Sequence, residues 1–144
     1  MITIEEKIEI NATSEKVFQI YSDVNSWADW DLGLDFAKID EEFKTGAVGK
    51  LKPKKSPVVA DIDFIEVIPN SSFSVYNRSI LCIFNFYHTI LEKDGFVEVT
   101  HRVEITDRFK FFSLISSIFG KLIGKDMKKE LPKSLKRLKH LAEN

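Results

Sequence analysis

The side chains of this chain best suited to chemistry near neutral pH are its histidines, and two of the three stand in adjoining stretches of alternating sequence. Cys82, Phe84, Phe86, His88 and Ile90 fall on one face of the first stretch, and Val97, Val99, His101, Val103 and Ile105 on one face of the second. This follows because successive residues of a strand point to opposite sides. Asp94-Gly95 between them is a strong signal for a two-residue type I′ hairpin. Such a turn pairs Lys93 with Phe96 and sets His88 directly opposite His101, with Cβ atoms about 4.5–7 Å apart for direct or diagonal neighbours. A four-residue loop would shift the pairing by two and keep the same faces. An imidazole in an apolar setting can take or give a proton and can polarise a carbonyl. The plainer alternative is that each histidine hydrogen-bonds a strand neighbour or stands at a cavity rim.

Two carboxylates join them as candidates. Ile2, Ile4, Ile8 and Ile10 alternate with polar residues, and the pleat puts Glu6 on the isoleucine face. A carboxylate there suits a general acid or a hydrogen bond to a ligand, because a buried charge needs a partner. Glu66 falls on the Ile62, Phe64, Ile68 face, although Ile65 and Val67 make the other face apolar too. Tyr76 shares a face with Arg78 and is placed to hold a polar ligand group. Trp27 and Trp30 read as structural aromatics. Phe119 is core by default, and lines a cavity only if the last helix stands off the sheet.

Other chemistries find little support. Zinc needs three or four ligands; His88, His101 and Glu66 are the one set with the residue types to converge, and no metal is expected, and no cofactor. There is no nucleophile elbow and no glycine-rich phosphate loop. Cys82 is the only cysteine, which rules out an intramolecular disulfide and fits a reducing, cytoplasmic location. With 21 basic against 22 acidic residues, no global field favours nucleic acid. Residues 108–144, however, carry ten Lys or Arg against three Asp or Glu. The most apolar stretch, Phe109 to Ile123, is interrupted by lysines and serines, and no stable membrane insertion is expected.

The elements that must position these groups are readable in outline. After the first strand, Thr13 or Ser14 can cap a short helix carrying Val17, Phe18 and Tyr21, and Ser26–Trp30 makes a second short helix or turn. Strand candidates follow at Phe36–Glu42, Gly49–Lys54, Val58–Ile68, Phe73–Leu81, Cys82–Lys93 and Phe96–Thr106. With no helical pattern between them, the sheet should be antiparallel. Leu114, Ile115, Ile118, Phe119, Leu122 and Ile123, then Met127, Leu131, Leu135 and Leu138, predict a long helix, bent at Pro132, whose apolar stripe covers the sheet. The expected fold is α+β: a curved antiparallel sheet of about seven strands around a long C-terminal helix. Residues 1–144 are expected to form a single ligand-binding domain.

Several segments resemble the START-like superfamily, the polyketide cyclase/dehydratase and lipid-transport group with its helix-grip fold. They are Ile8-Glu9-Ile10-Asn11-Ala12-Thr13-Ser14-Glu15-Lys16-Val17-Phe18 with Tyr21-Ser22-Asp23, and Ser26-Trp27-Ala28-Asp29-Trp30-Asp31. Val99-Thr100-His101-Arg102-Val103-Glu104-Ile105 resembles the family's last strand, and Leu135-Lys136-Arg137-Leu138-Lys139 its closing helix. The resemblance implies a hydrophobic small-molecule partner, lipid- or polyketide-like, held in an internal cavity whose mouth Trp30, in the matching aromatic segment, helps to wall. Three readings stay open: a binding or transport protein, a cyclase or dehydratase using cavity His and Glu as acid and base, and an interaction module using the basic C-terminal helix.

Overall fold

The computed structural model describes residues 1–109 and 113–144. Strand β1 (Ile2–Ile10) is followed by helix α1 (Ser14–Ser22) and a 3₁₀ turn (Val24–Asp29). Six strands come next: β2 (Leu34–Ile39), β3 (Val48–Pro53), β4 (Ala60–Ile68), β5 (Ser72–Arg78), β6 (Cys82–Lys93) and β7 (Phe96–Asp107). Helix α2 (Ser113–Glu143) ends the chain and runs through Pro132 as one element. The seven strands form one sheet in the order β1-β7-β6-β5-β4-β3-β2, every neighbouring pair antiparallel. This is the α+β helix-grip arrangement expected, a curved sheet closed on a long helix.

Local chemistry sets the joints. Thr13 caps α1 by accepting from the Lys16 amide at 3.2 Å, satisfying one of the four free N–H groups at the helix start. The β6–β7 turn pairs Lys93 with Phe96, as its two residues require, but it is not type I′. Gly95 has φ +85°, while Asp94 keeps a negative φ, which is the sign pattern of a type II turn. An L-residue in the left-handed region is strained, and a type II turn confines that demand to the glycine.

A bulge between Phe64 and Glu66 in β4 inserts Ile65, so Val67, opposite Phe73, resumes the inner face. Glu66 is thereby turned outward and exposed, off the Ile62–Phe64 face on which alternation alone places it.

The inner face supplies two apolar clusters. One gathers Tyr21, Trp27, Trp30, Phe64, Phe73 and Val99 with Leu135 and Leu138 of α2. The other gathers Ile4, Cys82, Phe84, Val103 and Ile105, with Met127 and Leu131 against it. Phe86 packs against both.

Helix α2 meets the sheet chiefly at β1 and β7, and its two halves do so differently. In the C-terminal half, Leu135, Leu138 and Ala142 point inward, as the stripe predicts. In the N-terminal half, Ser116, Gly120 and Gly124 are the buried residues, four apart along one side. A Cβ on Gly124 would lie 3.4 Å from Ile2 Cγ2 and 3.6 Å from Ile4 Cδ1, so the backbone rides close on the sheet. The expectation that Leu114, Ile115, Ile118, Phe119 and Leu122 cover the sheet is therefore corrected: they lie on the opposite side and are exposed. At 3.6 residues per turn the inward sector is already taken by the small residues. Gly124→Leu is expected to destabilise the protein by about 1–3 kcal/mol through overpacking. Gly120→Ala, whose Cβ would meet nothing closer than 3.5 Å, should stabilise by roughly 0.5–1 kcal/mol through helix propensity. Urea midpoints of the two variants check the pair, and equal midpoints would contradict the close approach.

Candidate functional site: the paired histidines

His88 and His101 are register partners across β6 and β7. Their rings meet edge-on with centroids 4.4 Å apart. The Phe73 ring stacks on His88 at 4.0 Å, and Trp30 meets His101 edge-on at 5.7 Å. Helix α1 brings in Tyr21, fully buried, whose hydroxyl lies 2.6 Å from His101 Nε2. Trp27 anchors the segment beyond by donating its indole N–H to the Tyr21 carbonyl at 2.8 Å. Glu6 is the register partner of His101 on β1, so it lies on the same face, half-buried.

Electrostatics keep this cluster uncharged. Burial lowers the His88 pKa from 6.5 to about 3, an effect the Phe73 backbone partly offsets. His101 is held well below its usual value, first by burial and then by the neighbouring His88. Burial raises the Tyr21 phenol well above its usual value. At neutral pH the phenol keeps its proton and both imidazoles are neutral, so one proton lies between Tyr21 Oη and His101 Nε2. Among the described residues, two donor-capable ring nitrogens are buried without a hydrogen-bond partner, His88 Nδ1 and Trp30 Nε1. Such groups ordinarily find a hydrogen bond.

Asp31 stands at the edge of this region, with its Oδ1 accepting from the Gly33 amide at 3.0 Å. Burial raises its pKa to about 6; the Gly33 hydrogen bond opposes that shift, Glu130 adds to it and Lys54 opposes it. Among the described residues no group of three or more His, Cys, Asp or Glu could hold a metal ion.

Aromatic rings crowd the histidines on several sides. Two open surface grooves flank the fold, one of about 320 Å³ between α1, the 3₁₀ turn and Leu141, and one of about 400 Å³ around Asn11–Glu15 and Glu92–Val97. His88 and His101 line neither.

Residues 1–143 match the family model for polyketide cyclase/dehydrase and lipid transport. The chain belongs to this family. Among curated protein sequences none matches it. Solved structures share the fold of this family member at low identity. The Zhui aromatase/cyclase from Streptomyces sp. R1128 has TM-score 0.79 at 13% identity, over 99% of this chain and 93% of that one. A START superfamily protein from Mycobacterium smegmatis has TM-score 0.70 at 14% identity, over 96% and 98%. A protein from Thermus thermophilus has TM-score 0.73 at 11% identity, over 98% and 97%.

Of the residues singled out by sequence, the family fold brings His88, His101, Trp30 and Glu6 to one inner region. It does not bring in three others. Glu66 is carried outward by the bulge. Tyr76 pairs with Asp63 and Asn85 on the outer face, because Phe73 and Val75 take the inward positions of β5. Phe119 is 37% exposed on the outward side of α2.

Tyr21 and Asp31 are the residues that motif reading passes over. Tyr21 can be found from its place four residues after Val17 on the buried side of α1, since a buried tyrosine hydroxyl must find a partner. No sequence signal distinguishes Asp31.

Proposed function

We propose that this family member binds an apolar or aromatic small molecule between the inner face of its sheet and α2, with His88 and Trp30 as polar anchors. The observation that carries this is the pair of buried, unpartnered ring nitrogens beside the Tyr21–His101 hydrogen bond. Each can donate to a carbonyl or hydroxyl oxygen. The walls available are Phe86, Met127 and Leu131, half-buried where the two apolar clusters meet. Entry of the ligand requires these side chains to move apart. The driving force is apolar ligand surface leaving water, roughly 25 cal/mol per Å² before the losses of association.

Binding is favoured over acid–base catalysis by the depressed histidine pKa values. A base whose pKa has fallen to about 3 is a weak proton acceptor at neutral pH, whereas its N–H remains a good hydrogen-bond donor. The Tyr21–His101 pair is the specific feature that supports the alternative, a cyclase-like step in which the phenol donates to a carbonyl.

Native mass spectrometry of gently purified protein, then denaturation to identify what is released, tests the reading. A lipid- or polyketide-like compound is expected. His88→Phe and Trp30→Phe should each weaken its binding about 2- to 10-fold, the worth of one hydrogen bond. No retained compound, together with no thermal shift from a panel of apolar ligands, would sink the proposal. Turnover of a polycarbonyl substrate that Tyr21→Phe abolishes would replace it with the cyclase reading.

A further inference from the structure

The first half of α2 shows its large apolar residues to solvent. Leu114 is 74% exposed, Ile115 57%, Ile118 53%, Phe119 37% and Leu122 62%. These five lie on one side of the helix, opposite Ser116, Gly120 and Gly124, which seat it on the sheet. A contiguous exposed apolar face on a folded protein marks an interaction site. The chain extends this patch at the same end of the molecule. Phe109 is 42% exposed beneath the Arg108 guanidinium, and Arg108 donates to the Ser79 carbonyl of the β5–β6 turn, where Ile80 is 78% exposed.

The same side of the helix continues into exposed Lys125 and Lys129, with exposed Lys121 and Lys128 on its flank. Asp126, the acid interleaved with them, is already paired with Lys55 at 3.2 Å. An apolar face merging into a cationic one is the pattern of a helix that lies in the boundary between lipid head groups and acyl chains.

We propose that this outward face of α2 docks the protein onto the surface of an anionic lipid bilayer. The apolar residues enter the head-group boundary while the lysines meet lipid phosphates and carboxylates. Charge decides between this partner and a second copy of the chain. A two-fold contact through the same face would set the two lysine groups against each other, and an anionic surface attracts both the apolar and the cationic parts. The contact lies on the surface, since among the described residues no helix is long and apolar enough to cross a membrane.

The test is flotation of the protein with phosphatidylcholine vesicles, with and without phosphatidylserine. Binding is expected only to the anionic vesicles, falling steeply as salt rises from about 0.05 to 0.5 M. The double variant Ile118→Glu/Leu122→Glu, altered only at exposed positions, should bind at least about tenfold more weakly. Lys125→Glu/Lys129→Glu should do the same while keeping the apolar face. Unchanged thermal unfolding of both variants separates lost docking from lost fold. Absence of binding at low salt, or equal binding to neutral vesicles, would overturn the proposal. So would a wild-type dimer in light scattering that Ile118→Glu/Leu122→Glu splits, which would assign the face to self-association.

Discussion

Acidifying the protein from pH 7 to pH 5 is expected to lower its unfolding free energy, His88 alone removing about 2 kcal/mol, before most carboxylates begin to titrate. The cause is the histidine pair on the inner face, His101 buried and His88 half-buried. Folded His88 titrates near pH 3 and folded His101 well below its usual value, whereas each returns to about 6.5 on unfolding. Below pH 6.5 the unfolded chain therefore binds protons that the folded chain refuses; stability falls by about 1.4 kcal/mol per pH unit for His88, and His101 adds to the loss in the same direction. The loss continues until the folded pKa values are reached.

Asp31 works in the other direction. Its folded pKa of about 6 lies above the ordinary carboxylate value of 3.8, so between those limits the folded state takes the extra proton. This carboxyl thus offsets part of the histidine loss below pH 6. Asp31→Asn keeps an oxygen for the Gly33 amide and removes the desolvated charge. In that variant the loss from pH 7 to pH 5 should grow by about 1 kcal/mol, and stability at pH 7 should rise by about 1–3 kcal/mol. Urea unfolding followed by tryptophan fluorescence at pH 7, 6 and 5 measures both effects. A flat profile for the wild type would mean that the histidines are hydrated and chargeable in the folded state, and the anchor role proposed for His88 would fall with it.

Leu138→Ala should remove about 2–5 kcal/mol, whereas Leu122→Ala, in the same helix and the same chemical change, should stay within about 0.5 kcal/mol. Leu138 is fully buried between α2 and the cluster around Trp27, Phe73 and Val99, and truncation leaves a cavity among side chains held by the sheet. Leu122 is 62% exposed and loses few contacts. Chemical denaturation of the two variants compares them directly. Similar losses at both sites would show that the first half of α2 packs on its large residues after all, and would remove the basis for bilayer docking as well.

The histidine pair is legible in the sequence because it needs only a period of two on each strand and a two-residue turn between them. Both survive the change of turn type at Asp94-Gly95, since register depends on the number of turn residues rather than on their dihedral angles. Alternation misplaces Glu66 because no proline or glycine marks the bulge, and Ile65 and Val67 make both faces of β4 look inward. The outward turn of Phe119 has a different origin. Periodicity reports which residues share a side of a helix, but not which side the sheet will take. Here Ser116, Gly120 and Gly124 take the seat by letting the backbone approach, and the bulk of Ile115, Ile118 and Leu122 lies opposite. Small residues carry almost no hydrophobic signal, so a pattern reading assigns the sheet-facing role to the large ones. Tyr21 is readable as a buried helix position, yet its partner across the fold is not, because that contact depends on where α1 crosses β7.

The pairing of the first strand with the last has a consequence for how the chain is made. Ile2 bonds in register with Ile105, roughly a hundred residues away, and β1 also forms much of the bed for α2. During synthesis the amino-terminal strand therefore emerges long before its neighbour exists. It must wait, isoleucines and free edge exposed, until β7 has left the ribosome. That interval is when the nascent chain is most open to pairing with the wrong strand, and when a chaperone holding Ile2–Ile10 would do the most good.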